Sequence, residues 1–566
     1  MNHRIITFDI YLLSSHQIFG MLKKLLSLFA AMFLAFTFTF AQRLETDDNR
    51  IGFNLNKPER EEWLRDLGFG LFIHWSIDSQ LGMVISHSLA GASDDYCQRY
   101  FNELPKTFDP DGFDARKWAR LAKIAGVRYV VFTTKHHSGF CMWETQTTGF
   151  GIMNTPYKKD ILKEIVTALR EEGLAVGFYY SPEDFKFLYD NGMIINRGNM
   201  KYDDAFTKKY EAFIESQCRE LFTNYGKVDI LFIDGEPKDP AKYTGWKLQP
   251  DLVVTRGAVN TPEQTIPGAA SDVLWESCLT MGTQWQYKPT NDDLKSGTRL
   301  IEILIETRAK GGNLLLNIGP HPDGYIPVDQ EERLREMAAW MFINQESIYG
   351  VRPWIITNED HLWLSRSKDG NTVYVYITGI PDWTKGERKE FILHSVKATA
   401  NTRASVLGQN DKVVEYTNVV PDTRFEQTPE GLKISCVRAQ RIYNNNKWPN
   451  PIVLKLENVV PALNPPQIVT DDAAIVSGKL VLKGNLVNEG DGKAVKVGFW
   501  YRTYAGFVEN TYSTEWQKTS FTEINKTGEY SIEIINPVKG MEYEYRAVAV
   551  HPQITITGET KHVKIP

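Results

Sequence analysis

The chain has 566 residues, 42% of them apolar and 24% charged, with a formal net charge of −6. That length exceeds one ordinary core, so two or three domains are expected, and the composition is that of a soluble globular protein. No charge run and no basic excess offers a surface for nucleic acid, which is excluded as an expected partner.

In chain order, the first signal is Met21-Leu-Lys23-Lys24, then the apolar run Leu25 to Phe36, then Thr39-Phe-Ala41. A charged start, a short apolar core and a small-residue exit are the parts of an export signal. Cleavage is expected after Ala41, giving a secreted or periplasmic protein, and residues 1–20 read as an over-extended start. Nothing later is long and apolar enough for a membrane-spanning helix. Cys97, Cys141, Cys218, Cys278 and Cys436 are scattered, odd in number and without CxxC spacing. Neither a disulfide framework nor a zinc knuckle is expected.

From about Glu59 to Gly350, strand and helix patterns alternate. Phe69 to Trp75 reads as a strand. Asp114 to Ala125 reads as a helix with Trp118, Leu121, Ala122 and Ala125 on one face, stopped by Gly126. Strand Arg128 to Thr134, helix Asp160 to Glu172, strand Leu174 to Tyr180, helix Asp203 to Tyr225 and strand Val228 to Asp234 follow. Leu252 to Thr255 and Leu314 to Ile318 are further buried strands. This alternation predicts an α/β fold, a (β/α)8-like TIM barrel over residues 42–350. No glycine-rich phosphate loop follows a strand, and no cofactor is expected. Beyond Trp354 the strands alternate without helices (Leu362-Trp-Leu-Ser-Arg, Thr372 to Thr378, Lys389 to Leu393), which predicts a β-sandwich over 351–460. The proline-rich stretch Val460 to Pro466 reads as a linker to a second, immunoglobulin- or fibronectin-like sandwich over 467–566.

Several barrel strands end in ionisable side chains. Val228-Asp-Ile-Leu-Phe-Ile-Asp234 delivers Asp234; Tyr129 to Lys135 delivers His136 and His137; Leu71-Phe-Ile73 delivers His74. One strand-end aspartate alone is most often a turn residue, but the set together marks the catalytic mouth of a barrel. A mouth of this kind can pair carboxyl groups for nucleophilic and acid/base work; the retaining glycoside hydrolysis implied by the resemblance given below needs two of them about 5–5.5 Å apart, one ionised and one protonated. Asp234 suits the first role, with imidazoles and Arg256 to lower its pKa. Glu276, beside Trp275, suits the second, because an apolar setting would raise its pKa. Glu236 and Asp272 are the rival acids. His136 and His137 are not expected to bind metal: consecutive side chains on a strand point apart, and no HExxH spacing is present.

Five segments resemble the α-L-fucosidases of glycoside hydrolase family 29. They are Phe69-Gly-Leu-Phe-Ile-His74-Trp75; Thr134-Lys-His136-His137-Ser-Gly-Phe140 with Trp143; Gly177-Phe-Tyr-Tyr180-Ser181; Trp275-Glu276-Ser-Cys278; and Gly311-Gly-Asn-Leu-Leu-Leu-Asn317-Ile-Gly-Pro320, continuing into Asp323-Gly-Tyr-Ile-Pro327. The resemblance implies a secreted retaining exo-α-L-fucosidase acting on fucosylated glycans, with Asp234 as nucleophile and the acid/base on a variable loop. It also implies that His74, His136 and His137 bind sugar hydroxyls, that Tyr180 lines the pocket and that Arg256 lies near the nucleophile. An imidazole can donate on one nitrogen and accept on the other, which suits a ring of hydroxyls. Fucose carries a methyl group at C5, for which Trp75, Phe140 and Trp143 are candidate apolar contacts. Asn313 and Asn317 read as hydrogen-bonding a barrel seam. Ser138 stands where the family has Asp, Ser76 where it has Gly, and the loop Gly82 to Tyr100 departs from its pattern. These departures leave room for a related sugar such as L-galactose, or for a non-catalytic glycan-binding protein whose sandwiches are the working parts.

Overall fold

The computed structural model describes residues 53–197, 202–443, 447–491, 495–504 and 515–566. The export-signal segment Met21 to Ala41 lies outside the described residues. Among the described residues no helix is long and apolar enough to cross a membrane.

Seven parallel strands form one sheet: β1 (Phe69–Ile73), β2 (Tyr129–Lys135), β3 (Ala175–Tyr180), β4 (Ile230–Ile233), β5 (Val253–Val254), β6 (Glu276–Thr280) and β7 (Asn313–Ile318). Their order is β5-β4-β3-β2-β1-β7-β6. Nearly every residue in them is buried, as expected for strands covered by helices on one face and filling a barrel on the other. β5 and β6 do not pair directly. Single bridges Arg256↔Val259, Asn260↔Trp275 and Glu263↔Cys278 carry the segment 259–263 between them. The sheet therefore curls into a barrel of seven regular staves plus this irregular one.

Local chemistry explains the element ends. Asp114 caps the helix Ala115–Ile124 by accepting from the backbone N–H groups of Arg116 and Lys117, and Asp160 caps Ile161–Glu171 through Lys163. Gly70 lies where a Cβ would fall 2.3 Å from the Tyr129 ring, so the missing side chain makes room for that tyrosine inside the barrel. Inside, Phe72, Tyr129, Val131, Tyr179, Ile230, Phe232, Cys278 and Leu315 form one packed cluster. β6 has no counterpart among the strands expected from the sequence.

The first sandwich pairs a five-stranded antiparallel sheet, in the order 396–406, 452–461, 372–377, 362–367, 351–359, with a three-stranded one, 388–393, 432–437, 424–427. It shares a core with the barrel's helical layer: Tyr374, Tyr376, Trp448 and Val453 pack in the same cluster as Trp340 and Met341. The terminal sandwich has its own core of Leu480, Leu482, Val497, Phe499, Tyr545 and Ala547.

Candidate active site

Side chains from the C-terminal ends of β1 to β5 converge on Asp234, the residue after β4. Tyr179 donates its hydroxyl to Asp234 Oδ2 at 2.8 Å, and Arg256 Nη1 stands 3.3 Å from Oδ1. His137 Nε2 lies 3.5 Å from Oδ2, and Arg197 Nη2 3.8 Å from Oδ1. Burial works against the charge on Asp234, but His137, Arg256 and Arg197 outweigh it and hold the carboxyl well below the usual range. The carboxylate is 20% exposed, open to a ligand.

Three histidines line the cavity in fixed orientations. His74 Nδ1 lies 2.6 Å from Asn317 Oδ1, while the Asn317 amide donates to the Trp285 carbonyl. The asparagine oxygen is thus an acceptor, so His74 carries its proton on Nδ1 and offers Nε2 as an acceptor. Burial pushes His74 down to about 4, keeping it neutral. His136 is lowered further, by burial and by the neighbouring His137 and His74. Its Nδ1 is held by Ser86 Oγ at 2.8 Å, and its ring stacks on Tyr179 at 5.3 Å and 2°. His137 Nδ1 is 2.6 Å from Ser181 Oγ and 3.3 Å from Glu183 Oε2.

The expectation that His136 and His137 point apart fails, because both lie beyond the last residue of β2. Their rings are 4.2 Å apart. Their donor atoms and those of Asp234 lie within 4.8 Å of one another, the spacing of a potential cation site.

Glu276 does not join this group. It opens β6, is fully buried, and accepts a hydrogen bond from Tyr129, the first residue of β2. Cys278, two residues further along β6, is the one within 3.5 Å of Arg256. Glu276 lies about 7 Å deeper at the usual strand rise, inside the barrel and shielded from the mouth. Burial pushes it up to about 7, against the hydrogen bond from Tyr129. The elevated pKa that suggested an acid is thus present, but no substrate reaches it. Asp272 is also misplaced. It is 92% exposed, and its backbone carbonyl is held by Arg65 beside Gly311, at the N-terminal end of β7. Glu236 is 62% exposed and paired with Lys238 at 2.9 Å.

Two carboxylates share a partner with Asp234, and the more exposed of them is Glu263. Its Oε2 lies 2.8 Å from Arg256 Nη2, on the same guanidinium whose Nη1 serves Asp234, and its side chain is 24% exposed. Glu183 is a second nearby carboxylate, 13% exposed and tied to His137 and to Arg197 at 3.0 Å.

Tyr180 points the other way. It is buried in the helical layer, where its hydroxyl donates to Gln217 Oε1 at 2.8 Å. Alternation along β3 sends Tyr179 inward and Tyr180 outward. Trp75 packs on Phe108, Phe113 and Trp118, and Trp143 donates to Glu220, so both are core residues rather than pocket walls. Phe140 packs on Phe108 and Phe150. An aromatic that does meet the cavity is Trp285, half-buried, with its ring 5.0 Å from that of His74. His87, exposed on the loop after β1, sets its ring 5.7 Å from His137. Tyr179, His87, Arg197, Glu183, Glu263 and Trp285 all escaped the sequence reading. The signals available were the parity of β3 and the general rule that loops at the C-terminal ends of barrel strands carry function.

Comparisons with known proteins bear on the family and the fold. The family model described as α-L-fucosidase matches residues 45–346. An α-L-fucosidase of Dictyostelium discoideum is 26% identical over 418 residues, covering 65% of this chain and 88% of that protein. The plasma α-L-fucosidase of Rattus norvegicus is 27% identical over 450 residues, 70% of this chain and 91% of its own. Among solved structures, α-L-fucosidase isoenzyme 1 from Paenibacillus thiaminolyticus aligns with a TM-score of 0.57 at 25% identity, over 70% of this chain and 98% of that one. A Bacteroides thetaiotaomicron α-L-fucosidase shares the fold, with a TM-score of 0.57 at 23% identity over 74% of this chain and 100% of that one. A match over more than half the chain, on a barrel whose strand ends gather a charged aspartate among histidines, places the protein in the α-L-fucosidase family, glycoside hydrolase family 29.

Proposed function

We propose that the protein is an exported, retaining exo-α-L-fucosidase in which Asp234 attacks the anomeric carbon of a terminal fucose and Glu263 serves as acid/base. The observation that carries this reading is a shared guanidinium with the more exposed carboxylate: Arg256 touches Asp234 with one nitrogen and the 24%-exposed Glu263 with the other, whereas Glu183, which shares Arg197 with Asp234, is 13% exposed. The two carboxylates are separated by the width of one guanidinium and its contacts. Retaining glycosidases space theirs about 5–5.5 Å apart, and the two contacts, 3.3 and 2.8 Å on one guanidinium, leave room for that spacing.

The depressed pKa of Asp234 suits a nucleophile, which must be ionised to form the glycosyl bond. Glu263 sits on a loop with part of its side chain in solvent, so it can protonate the departing oxygen and then take a proton from water. His74 and His136, held neutral by burial, are hydroxyl partners: His74 accepts through Nε2. Trp285 is the apolar wall suited to the sugar's methyl group. Export with cleavage after Ala41 rests on the leader pattern alone, and the mass of the mature protein tests it.

The test is leaving-group dependence. Glu263→Gln should slow an aryl α-L-fucoside with a poor leaving group by roughly 10²–10⁴-fold and spare a dinitrophenyl fucoside, which departs unassisted. Azide should restore turnover to Glu263→Ala. Asp234→Ala should be inactive on both substrates. If Glu183→Gln instead showed the selective loss, the acid/base would be reassigned to Glu183. A first-formed sugar of inverted configuration would end the retaining reading.

A further inference from the structure

We infer that the terminal sandwich is a working part of the catalytic site: by gripping the barrel loop at Gly268 and Ala269, it positions Glu263 against Asp234. This rests on the reading of Glu263 as acid/base.

The loop between β5 and β6 has almost no regular structure of its own. Its first part, through Glu263, is bridged to Cys278 on β6. Beyond Glu263 its backbone is caught by successive side chains. The Thr265 carbonyl accepts from the Ser277 hydroxyl, and the Pro267 carbonyl from Lys310 Nζ at 2.7 Å. The next two groups are held from the other domain. The Gly268 carbonyl accepts from Thr557 Oγ1 at 3.2 Å, and the Ala269 N–H donates to Glu559 Oε2 at 3.3 Å. At Gly268 the two backbones meet directly. A Cβ there would fall 2.7 Å from the Gly558 carbonyl oxygen and 2.8 Å from the Thr560 nitrogen.

A passive spacer would not need this contact, because the domain has a separate anchorage. Ile554 is buried in the core of the first sandwich. The sandwich also comes near Glu263 itself. Tyr504 ends the strand Val495–Tyr504, and its phenol is raised by burial, by Glu544 and Glu542, and by Glu263. The grip lies five residues from Glu263, a reach of at most ~18 Å of extended chain, and the carbonyls caught between them leave little slack.

Gly268→Ala drives a wedge between loop and sandwich at a position whose backbone tolerates alanine, and Thr557→Val removes one bond without a wedge. Both variants are compared with the parent on a dinitrophenyl fucoside, which needs no acid, and on a poor-leaving-group fucoside, which does. Kcat/KM should fall roughly tenfold or more on the second substrate and stay within about twofold on the first, reproducing in milder form the split of Glu263→Gln. Melting curves check that the variants are folded. A merely structural contact would lower the melting temperature and leave the ratio between substrates unchanged. That result, or equal losses on both substrates, would overturn the clamp while Glu263 stands. A Glu263→Gln enzyme without the split would remove the underlying reading, and the clamp with it.

Discussion

Tyr179 and Tyr180 carry the same side chain into opposite surroundings. Tyr179 donates to the charged Asp234, while Tyr180 donates to Gln217 in a buried network with Lys135 and Asp184. A hydrogen bond to an ionised group contributes about 1.5–3 kcal/mol, so Tyr179→Phe should lower kcat/KM roughly 10–100-fold with little change in melting temperature. Tyr180→Phe should do the reverse, costing stability and leaving kcat/KM within about twofold. Equal activity losses in the two would contradict the inward and outward assignment. At this scale the strand-end residues were legible because a buried parallel strand must terminate at the mouth, which fixed Asp234, His74, His136 and His137. Which of two adjacent tyrosines faced inward was legible in principle from strand parity. Glu276 has the raised pKa expected of an acid but is closed to solvent. Complete burial produces that shift on its own.

The elements of the barrel were readable because periodicity and caps are local properties. Asp114 and Asp160 announce their helices in the sequence, and the structure starts them one residue later. The loops were not readable, because their shapes are dictated by partners far away in the chain. The loop after β1 shows how such a partner acts. Buried Asp78 accepts from the Ser86 backbone N–H at 2.6 Å and holds Ser86 at a φ of 61°. In that pose Ser86 Oγ reaches both His136 Nδ1 and, at 2.9 Å, the Ser138 N–H. The serine thus ties the loop after β1 to the segment after β2 and sets the direction in which His136 presents its other nitrogen. Ser86→Ala removes a partner from a buried imidazole, an effect of about 1–3 kcal/mol. It should raise KM for an aryl fucoside and cut kcat/KM roughly 5–100-fold, in a protein whose far-ultraviolet circular dichroism is unchanged. Unchanged kinetics in Ser86→Ala would mean that His136 is oriented by its stacking on Tyr179 alone.

At the scale of the whole molecule, composition and strand texture separated a barrel from two sandwiches but could not show how they are joined. Separate domains were a natural reading, since each stretch carries its own pattern. The structure instead gives the barrel and the first sandwich a common hydrophobic cluster, with Trp340 donating to the Pro451 carbonyl at 2.7 Å. Arg308 reinforces the seam. It is fully buried on the helix Gly297–Ala309, and its guanidinium donates to the carbonyls of Ile348, Gly312, Arg65 and Val351 and to Asn313 Oδ1. Burial opposes the charge and lowers its pKa to about 10, so the residue stays protonated at neutral pH and the acceptors around it stay satisfied. Arg308→Met fills most of the space but leaves several carbonyls without a donor, each costing about 1–3 kcal/mol, so stability should fall by at least ~3 kcal/mol. Hydrogen exchange read by mass spectrometry along a denaturant series gives the sharper result. Strands of the barrel (β7) and of the first sandwich (372–377) should lose protection at one shared midpoint, and Arg308→Met should move that midpoint down for both. The core strands of the terminal sandwich, 479–488 and 542–550, should keep a midpoint of their own. Separate midpoints for barrel and first sandwich in the parent protein would mean that the shared cluster does not couple them, and that Arg308 braces the barrel alone.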